Sequence, residues 1–244
     1  MSNVAPLGGI IDRNLNYGRH LIDRFFHDTS FDAASTLLDL GAGAGDDLLL
    51  ARKNLPDAKL HAIEVYPPYQ DLLRGKGIVV HSINIERDRF PFENVTVDII
   101  IANQILEHVK EVFWIFHEIS RTLRTGGTLI IGVPNLASLH NRLLLALGRQ
   151  PTSIQNNSAH VRGYTKRDLL KLLESCFPGG YSLEQFGGGN FYPFPPFIAK
   201  PLAAILPNMA WGIFFKLKKL RSYRDEFLTF PIENRLETNF FVGR

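Results

Sequence analysis

The residues best suited to chemistry lie within 37–50, LLDLGAGAGDDLLL, where an acid and three alternating glycines join two apolar runs. The pattern predicts a buried strand, a tight glycine turn and the first turn of a helix. Small residues throughout the turn let a ligand lie directly against the backbone, so a nucleotide-like cofactor is expected here. The residues assigned to this cofactor turn are Asp39, Gly41, Ala42, Gly43 and Gly45.

The acids around the turn indicate which nucleotide it suits. A dinucleotide-binding turn has its third glycine where this chain has Asp46, and its helix start binds a pyrophosphate. Asp46 and Asp47 would repel that pyrophosphate, whereas S-adenosylmethionine has no phosphate and carries a sulfonium cation. Glu64 ends the second apolar run, where an acid can accept hydrogen bonds from both ribose hydroxyls. The motif favours S-adenosylmethionine, with NAD and an oxidoreductase as the alternative.

Two residues near the N-terminus are candidates for closing over the cofactor. Arginine forms bidentate pairs with carboxylates, so Arg19 and Tyr17 are expected to fold over the ligand and bind its carboxylate. The alternative is a solvated amphipathic helix over 18–27. Residues 1–34 are predicted to form an N-terminal helical cap on a single domain spanning 1–244.

Short apolar runs alternate with helical patterns through the first 135 residues. Helices are expected over 47–55 and 111–123, the second followed by a stop at Gly126 and Gly127. This alternation predicts an α/β fold: a Rossmann-like doubly wound sheet, mostly parallel with an antiparallel closing strand, and helices on both faces. Ligands bind such sheets at the carboxyl ends of the strands, where the cofactor turn lies. The predicted strands are 35–40, 58–65, 77–81, 96–103 and 128–134.

The second half of the chain departs from this regular alternation. Thr165 and Asp168 resemble a capping box, which marks the start of a helix. The final apolar segment, ETNFFVG, is expected to form the last strand of the sheet. The elements predicted here are a leucine-rich helix at 138–147, a polar loop at 148–160, a helix at 166–176 and a closing strand pair at 181–186 and 238–243.

Residues 187–237 are interpreted as an insertion rich in glycine, proline and aromatic side chains. The segment contains the basic run KLKKLRSYR at 216–224. Three roles are open: a cap that binds the substrate, a surface that touches a membrane or a lipid-linked substrate, and a homodimer interface.

Composition narrows the class of protein. With 45% hydrophobic and 21% charged residues in 244, the chain is globular and not disordered. The single cysteine, Cys176, excludes an internal disulfide and suits a reducing cytoplasm, with peripheral contact at the inner membrane surface left open. No secretory signal is expected, and no apolar stretch reaches the roughly 18–20 residues that cross a bilayer. A net charge of +3 argues against nucleic acid as a partner.

Five segments carry a resemblance to a known family. The chain resembles the class I S-adenosylmethionine-dependent methyltransferases and is similar to ubiquinone-pathway O-methyltransferases and to methyltransferases of bacterial glycan clusters. The resemblance covers about 30–185 and implies methyl transfer, mainly to an oxygen of a small molecule, quinone precursor or glycan. It does not reach 187–237, where acceptor identity is expected to lie. The segments are LLDLGAGAG (37–45), HAIEV (61–65), INIERDRFPFENVTVDIIIANQILEHV (83–109), EISRTLRTGGTLIIGVPN (118–135) and HVRGYTKRDLLKLL (160–173).

The resemblance also implies roles for residues by motif. The cofactor turn would hold the methionine portion, Glu64 the ribose, and Asn103 would face the sulfonium. The family usually has Asp-Ile or Asp-Leu after its third strand, with the acid bonding the adenine amino group. This chain has Asn84 and Ile85 there, and an asparagine carbonyl can still accept that hydrogen bond.

Catalysis on a hydroxyl acceptor calls for a base, and histidine is the usual one. His108 and His160 fall within the family's motifs. In the small-RNA 2′-O-methyltransferases, two glutamates and two histidines hold a divalent metal such as Mg²⁺. This chain matches Glu107, His108 and His160 to that set, but Gln104 replaces the first glutamate and is a weaker ligand for a hard cation. A metal site, a base at His160 and purely structural roles are all open.

Cofactor binding does not by itself establish turnover. The alternative function is a non-catalytic S-adenosylmethionine-binding or interaction protein that retains the fold. The intact glycine turn and Glu64 argue against lost binding, and experiment must separate the two functions.

Overall fold

The apolar runs form one seven-stranded sheet in a computed structural model that describes residues 12–27, 35–236 and 240–243. The strand order is β3-β2-β1-β4-β5-β7-β6, with β1 to β5 parallel and β7 antiparallel to both of its neighbours. The predicted Rossmann-like, mostly parallel sheet is therefore confirmed. The strands are β1 (Thr36–Leu40), β2 (Lys59–Ile63), β3 (Val79–His81), β4 (Val97–Asn103), β5 (Leu123–Pro134), β6 (Tyr181–Gly189) and β7 (Gly212–Lys219).

Helices cover both faces of this sheet. On one face, side chains of α1 and α2 pack with Leu37 and Ile99 of the strands; on the other, α4, α6 and α8 pack around Ile100 and Leu129. The helices α3, α7 and α8 were not expected from the sequence. The helices are α1 (Arg19–His27), α2 (Asp46–Asn54), α3 (Pro67–Gly75), α4 (Val112–Thr122), α5 (Leu139–Ala146), α6 (Lys166–Cys176), α7 (Pro196–Ile205) and α8 (Glu226–Glu233).

The predicted closing strand at 238–243 is wrong. The partner of β6 is β7, in antiparallel register from Tyr181 with Lys219 to Gly189 with Gly212. Residues 240–243 form no strand, and 237–239 lie outside the described residues. The segment 187–237 therefore contains an internal strand of the sheet.

Two lysines of the basic run at 216–224 are buried in β7. Lys219 is fully buried, and its ammonium donates to the carbonyls of Ser120 and Leu123 at 2.6 and 2.7 Å. Lys216 is 2% exposed, with its Nζ 3.8 Å from Glu184. A lysine inside a sheet is tolerated because carbonyls or a carboxylate receive its charge.

The boundary between α4 and β5 also differs from the prediction. The helix ends at Thr122, and β5 starts directly at Leu123 instead of 128. Gly126 and Gly127, predicted as the helix stop, lie inside the strand. The Lys219 ammonium binds carbonyls of the last helical turn, which ends the helix without a glycine.

The predicted helix at 166–176 is confirmed at both ends. The hydroxyl of Thr165 accepts the backbone N–H of Asp168 at 3.2 Å and donates to its carboxylate at 2.7 Å. Among the described residues, no helix combines the length and the hydrophobicity needed to cross a membrane.

Candidate cofactor and acceptor site

The cofactor turn connects β1 to α2 at the carboxyl edge of the sheet. The N–H of Gly41 donates to the carbonyl of Ile63 at 2.8 Å, which holds the turn against the end of β2. A Cβ on Gly41 would lie 2.7 Å from the Ile105 side chain, and one on Gly45 would lie 2.6 Å from Leu73. Gly43 differs, because at φ 52° nothing lies within 4 Å of its Cβ position. The turn is packed from behind and open at Gly43, as a ligand lying on its backbone requires.

Glu64 is fixed beside that opening. Its two carboxylate oxygens accept the backbone N–H groups of Gly43 and Tyr66, each at 2.8 Å. Gln70 donates to the Glu64 carbonyl and to the hydroxyl of Ser82, both at 2.8 Å. The carboxylate is therefore held by the backbone at the ends of two adjacent strands.

Two further acids are buried next to the turn. Asp39 is 2% exposed, and burial, followed by the carboxylates of Asp47 and Glu64, raises its pKa well above the usual range. Burial is also the main cause that raises the pKa of Asp47, opposed by hydrogen bonding from Asn103 and by Arg19. Such a cluster favours a ligand that brings positive charge.

Asn103, Tyr17 and Arg19 meet at this acidic cluster. The amide of Asn103 donates to Asp47 at 2.7 Å and to the Tyr17 carbonyl at 3.1 Å. The Arg19 guanidinium lies 2.9 Å from Asp46 and 3.5 Å from Asp47, stacked over the Tyr17 ring. Arg19 thus binds protein carboxylates here, and its pairing with a cofactor carboxylate stays a prediction.

Three buried polar atoms of this cluster have no hydrogen-bond partner among the described residues: Oδ1 of Asp47, Oδ1 of Asn103 and Nε of Arg19. Nε of Arg19 and Oδ1 of Asp47 lie 3.5 Å apart as an ion pair, and Oδ1 of Asn103 has no donor within the described ranges. Weakly satisfied buried groups are costly, so this cluster suits a ligand with both donors and acceptors. An amino acid end group, with its ammonium and carboxylate, fits that requirement. Asp47 was not assigned to the site from the sequence, although the paired acids after Gly45 were a usable signal.

Asn84 lies in an exposed turn after β3. Its side-chain oxygen accepts the N–H of Glu86 at 2.9 Å, and its own N–H donates to Asp88 at 2.7 Å. A carbonyl oxygen accepts two hydrogen bonds, so one remains for an adenine amino group. Ile85 is partly buried and packs against the core of the sheet. Their contact with adenine stays a prediction.

A second cluster joins residues that are 53 positions apart. Glu107 and His108 form a 3₁₀ turn, Leu106–His108, just after β4, and His160 reaches them from the loop before α6. One ligand atom from each residue lies within 4.8 Å of the others, and the two imidazole rings are 4.6 Å apart. The Glu107 carbonyl accepts the N–H of Val161 at 2.8 Å, which fixes one loop to the other.

Hydrogen bonds orient both imidazoles in this second cluster. Nδ1 of His160 lies 2.9 Å from the Ser153 carbonyl, and Nδ1 of His108 lies 3.3 Å from the Ala159 carbonyl. A carbonyl accepts only from N–H, so both Nδ1 atoms carry hydrogen and both Nε2 atoms are left as acceptors. Burial, and then the charge of His160, lowers the pKa of His108. These rings are therefore suited to take a proton or to bind a metal.

Glu107 completes this cluster as a buried acid. Its side chain is 2% exposed, and its Oε2 has no hydrogen-bond partner among the described residues. Burial raises the pKa of Glu107 to about 7. The neighbouring Gln104 has a left-handed backbone at φ 55°, and its buried Nε2 finds no hydrogen-bond partner in the described part of the chain. Ile105 packs on Gly41, so this segment borders the cofactor turn directly.

Comparison with known families agrees with this arrangement. The family described as "Methyltransferase domain" matches residues 12–176, which is more than half of the chain and includes both clusters. The chain belongs to this methyltransferase family. It is a class I S-adenosylmethionine-dependent methyltransferase in fold and domain.

A curated relative covers only part of this methyltransferase. It is an uncharacterized 37.1 kDa protein in transposon TN4556 of Streptomyces fradiae, 29% identical over 106 residues. The match covers 42% of this chain and 31% of the relative. The chain therefore spans about a third of the curated relative that it matches.

Solved structures share the methyltransferase fold at low sequence identity. A SAM-dependent methyltransferase from Archaeoglobus fulgidus has a TM-score of 0.57 at 13% identity, covering 82% of this chain and 94% of that chain. Geranyl diphosphate C-methyltransferase from Streptomyces coelicolor A3(2) has a TM-score of 0.54 at 14% identity, covering 82% of this chain and 79% of that chain. The [4+2]-cyclase SpnF has a TM-score of 0.59 at 16% identity, covering 83% of this chain and 81% of that chain. At these identities the likeness shows the fold alone.

Proposed function

We propose that this methyltransferase transfers the methyl group of S-adenosylmethionine to an oxygen of a small molecule, a quinone precursor or a glycan. The observation that carries the proposal is the cluster of Glu107, His108 and His160 beside the cofactor turn. A hydroxyl becomes a better nucleophile when a positioned base takes its proton. The cofactor supplies the methyl group on its sulfonium, and the protein supplies alignment and that base.

His160 is the proposed base. Its Nδ1–H is held by the Ser153 carbonyl at 2.9 Å, which makes Nε2 the acceptor nitrogen of the neutral ring and fixes the ring's orientation. His108 lies against it at a ring distance of 4.6 Å. In this proposal the acceptor hydroxyl binds beside the two imidazoles, on the side of the cofactor turn where Ile105 packs on Gly41.

A metal is the second way in which the same cluster would act on the acceptor. Glu107, His108 and His160 would hold it, and the unpartnered Oε2 of Glu107 is the atom that fits this role best. Two imidazole nitrogens with one carboxylate suit Mn²⁺ or Zn²⁺ better than Mg²⁺, which prefers oxygen ligands. The metal would lower the pKa of an acceptor hydroxyl bound to it.

The test uses His160→Ala, His108→Ala and a control, His27→Ala, whose side chain is 60% exposed on α1. Each variant is assayed with labelled S-adenosylmethionine against phenols, quinols and sugars, before and after removal of metal by a chelator. We expect the two cluster variants to lose activity by about a hundredfold or more, while calorimetric binding of S-adenosylhomocysteine is unchanged.

Four outcomes separate the alternatives. Loss of activity in the chelated wild type, restored by Mn²⁺ or Zn²⁺, supports the metal, and full chelated activity supports the base. Full activity of His160→Ala on the acceptor that the assay identifies would refute His160 both as the base and as a metal ligand. Cofactor binding without transfer to any acceptor would support the non-catalytic alternative.

A further inference from the structure

Helix α5 exposes the large apolar side chains that a globular helix normally buries. Leu143, Leu145 and Leu147, at and just beyond its end, are 57%, 56% and 74% exposed. The buried residue of α5 is polar Asn141, which donates to Ser153 Oγ at 3.0 Å. The helix is therefore inverted, with its apolar side outward.

Helix α7 shows the same inversion. Its buried residues are the small Ala199 and Ala203, whereas Phe197 and Ile205 are 77% and 74% exposed. Single exposed apolar residues are common, but two inverted helices in one chain are not explained by chance exposure.

The two helices are neighbours in the fold. Leu139 of α5 packs against the small cluster that Ala199 and Ala203 of α7 help to form. The ring of His140 on α5 lies 4.7 Å from that of Tyr192, four residues before α7. We call the exposed side chains Leu143, Leu145, Leu147, Phe197 and Ile205 the apolar surface.

The two stretches of chain that carry the apolar surface have charges of one sign. Residues 119–167 and 185–224, which contain both helices, include no aspartate or glutamate. Arg142, Arg149 and Lys200 are exposed within or next to the two helices. Apolar side chains whose own stretches of chain carry cations and no acids match a negatively charged bilayer surface.

The same charge pattern argues against a second copy of this chain. In a twofold dimer across this face, each of Arg142, Arg149 and Lys200 would face cations of the partner, and neither stretch offers an acid to pair with them. An anionic bilayer has no such repulsion.

Hydrogen bonds also link helix α5 to the second cluster, which contains Glu107, His108 and His160. Asn141 of α5 binds the Ser153 hydroxyl, and the Ser153 carbonyl binds His160 at 2.9 Å. One residue thus connects the inverted helix to the proposed base. A membrane against this surface would lie next to the place where the acceptor is activated.

We propose that the apolar surface docks on an anionic lipid bilayer, with α5 and α7 lying in the interface and no helix crossing it. Short helices of 8 and 10 residues suit shallow insertion among headgroups. As a consequence, which rests on the proposed function, the acceptor is a lipid or lipid-linked hydroxyl.

Docking is tested by sedimentation with vesicles of phosphatidylcholine alone and of phosphatidylcholine with phosphatidylglycerol, without cofactor or acceptor. We expect binding to anionic vesicles, weakened by Leu147→Ser with Phe197→Ser about tenfold for each side chain lost. Arg149→Glu with Lys200→Glu should remove the preference for anionic vesicles. The control is Leu72→Ser with Val79→Ser, at residues that are 43% and 51% exposed elsewhere on the protein.

Docking is overturned by three results: no vesicle binding, equal loss in the control pair, or a wild-type dimer that Leu147→Ser with Phe197→Ser dissociates. Binding of S-adenosylhomocysteine by each variant is measured separately, so a failure of cofactor binding is distinguished from a failure of docking.

The acceptor class is tested with labelled cofactor and a total lipid extract of the source cells. Label in the organic phase, lost in His160→Ala, supports a lipid acceptor, and transfer confined to water-soluble acceptors refutes it.

Discussion

The backbone N–H of Gly43 donates a 2.8 Å hydrogen bond to Oε2 of Glu64, which joins the glycine turn after β1 to the end of β2. The N–H of Tyr66 binds the other oxygen of the same carboxylate at 2.8 Å. Each carboxylate oxygen can accept a further hydrogen bond, so two acceptors remain beside the open position at Gly43. Two acceptors match the two hydroxyls of a ribose.

Glu64→Gln is expected to weaken S-adenosylhomocysteine binding by about ten- to a hundredfold. An amide offers one acceptor oxygen, so one ribose hydroxyl loses a charged acceptor worth about 1.5–3 kcal/mol. One backbone N–H also loses its partner, but it does so with and without ligand, so that loss affects stability and not the Kd. Calorimetric titration measures the change. Glu233→Gln, at an exposed residue of α8, is the control. An unchanged Kd for Glu64→Gln would contradict the ribose assignment.

Gly43→Ala is expected to abolish cofactor binding without loss of the fold. Its Cβ would enter space that is open in the protein and needed by the ligand. The matched control is Gly179→Ala, since Gly179 also has a positive φ, 63°, and nothing within 4 Å of its Cβ position. Both variants should lose about 1–2 kcal/mol of stability from the left-handed backbone, and only Gly43→Ala should lose binding. Thermal unfolding and titration give both quantities, and equal binding by the two variants would refute the prediction.

Glu107→Gln is expected to stabilise the protein at alkaline pH and not at acid pH. The folded pKa of about 7 lies above the ordinary 4.5, so this carboxyl favours the folded state most below pH 4.5. That advantage is lost as pH rises through about 7, a change of about 3 kcal/mol. The difference in unfolding free energy between variant and wild type should therefore grow from pH 4.5 to pH 8. A difference independent of pH would show that Glu107 titrates normally.

Asp39→Asn is expected to stabilise the ligand-free protein and weaken cofactor binding. Burial and the nearby carboxylates of Asp47 and Glu64 raise the Asp39 pKa, so its ionised form destabilises the fold as pH rises above the usual carboxyl range. A cation such as the methionine ammonium would favour that ionised form. Thermal shift at pH 8 with and without S-adenosylhomocysteine tests both effects. Asp57→Asn, at an exposed residue, is the control, and a destabilised Asp39→Asn would contradict the prediction.

Local pattern determined much of this protein from its sequence alone. The strands β1, β2 and β4 are short apolar runs, and the glycine turn follows one of them directly, so neighbouring residues encode their geometry. The Thr165 cap was readable for the same reason. Glu64 was placed correctly at the end of β2 because a strand's end fixes its position at the edge of the sheet.

Only the tertiary structure decided what distant residues do to one another. Lys216 and Lys219 form part of an internal strand because carbonyls and a carboxylate from other elements receive their charges, which no local pattern shows. Leu143 and Phe197 face outward because polar and small residues occupy the buried sides of their helices. Glu107 and His160 meet across 53 positions because loop-to-loop hydrogen bonds bring them together. The sequence determines the elements, and long-range partners decide which side chains are buried, paired or left for a ligand.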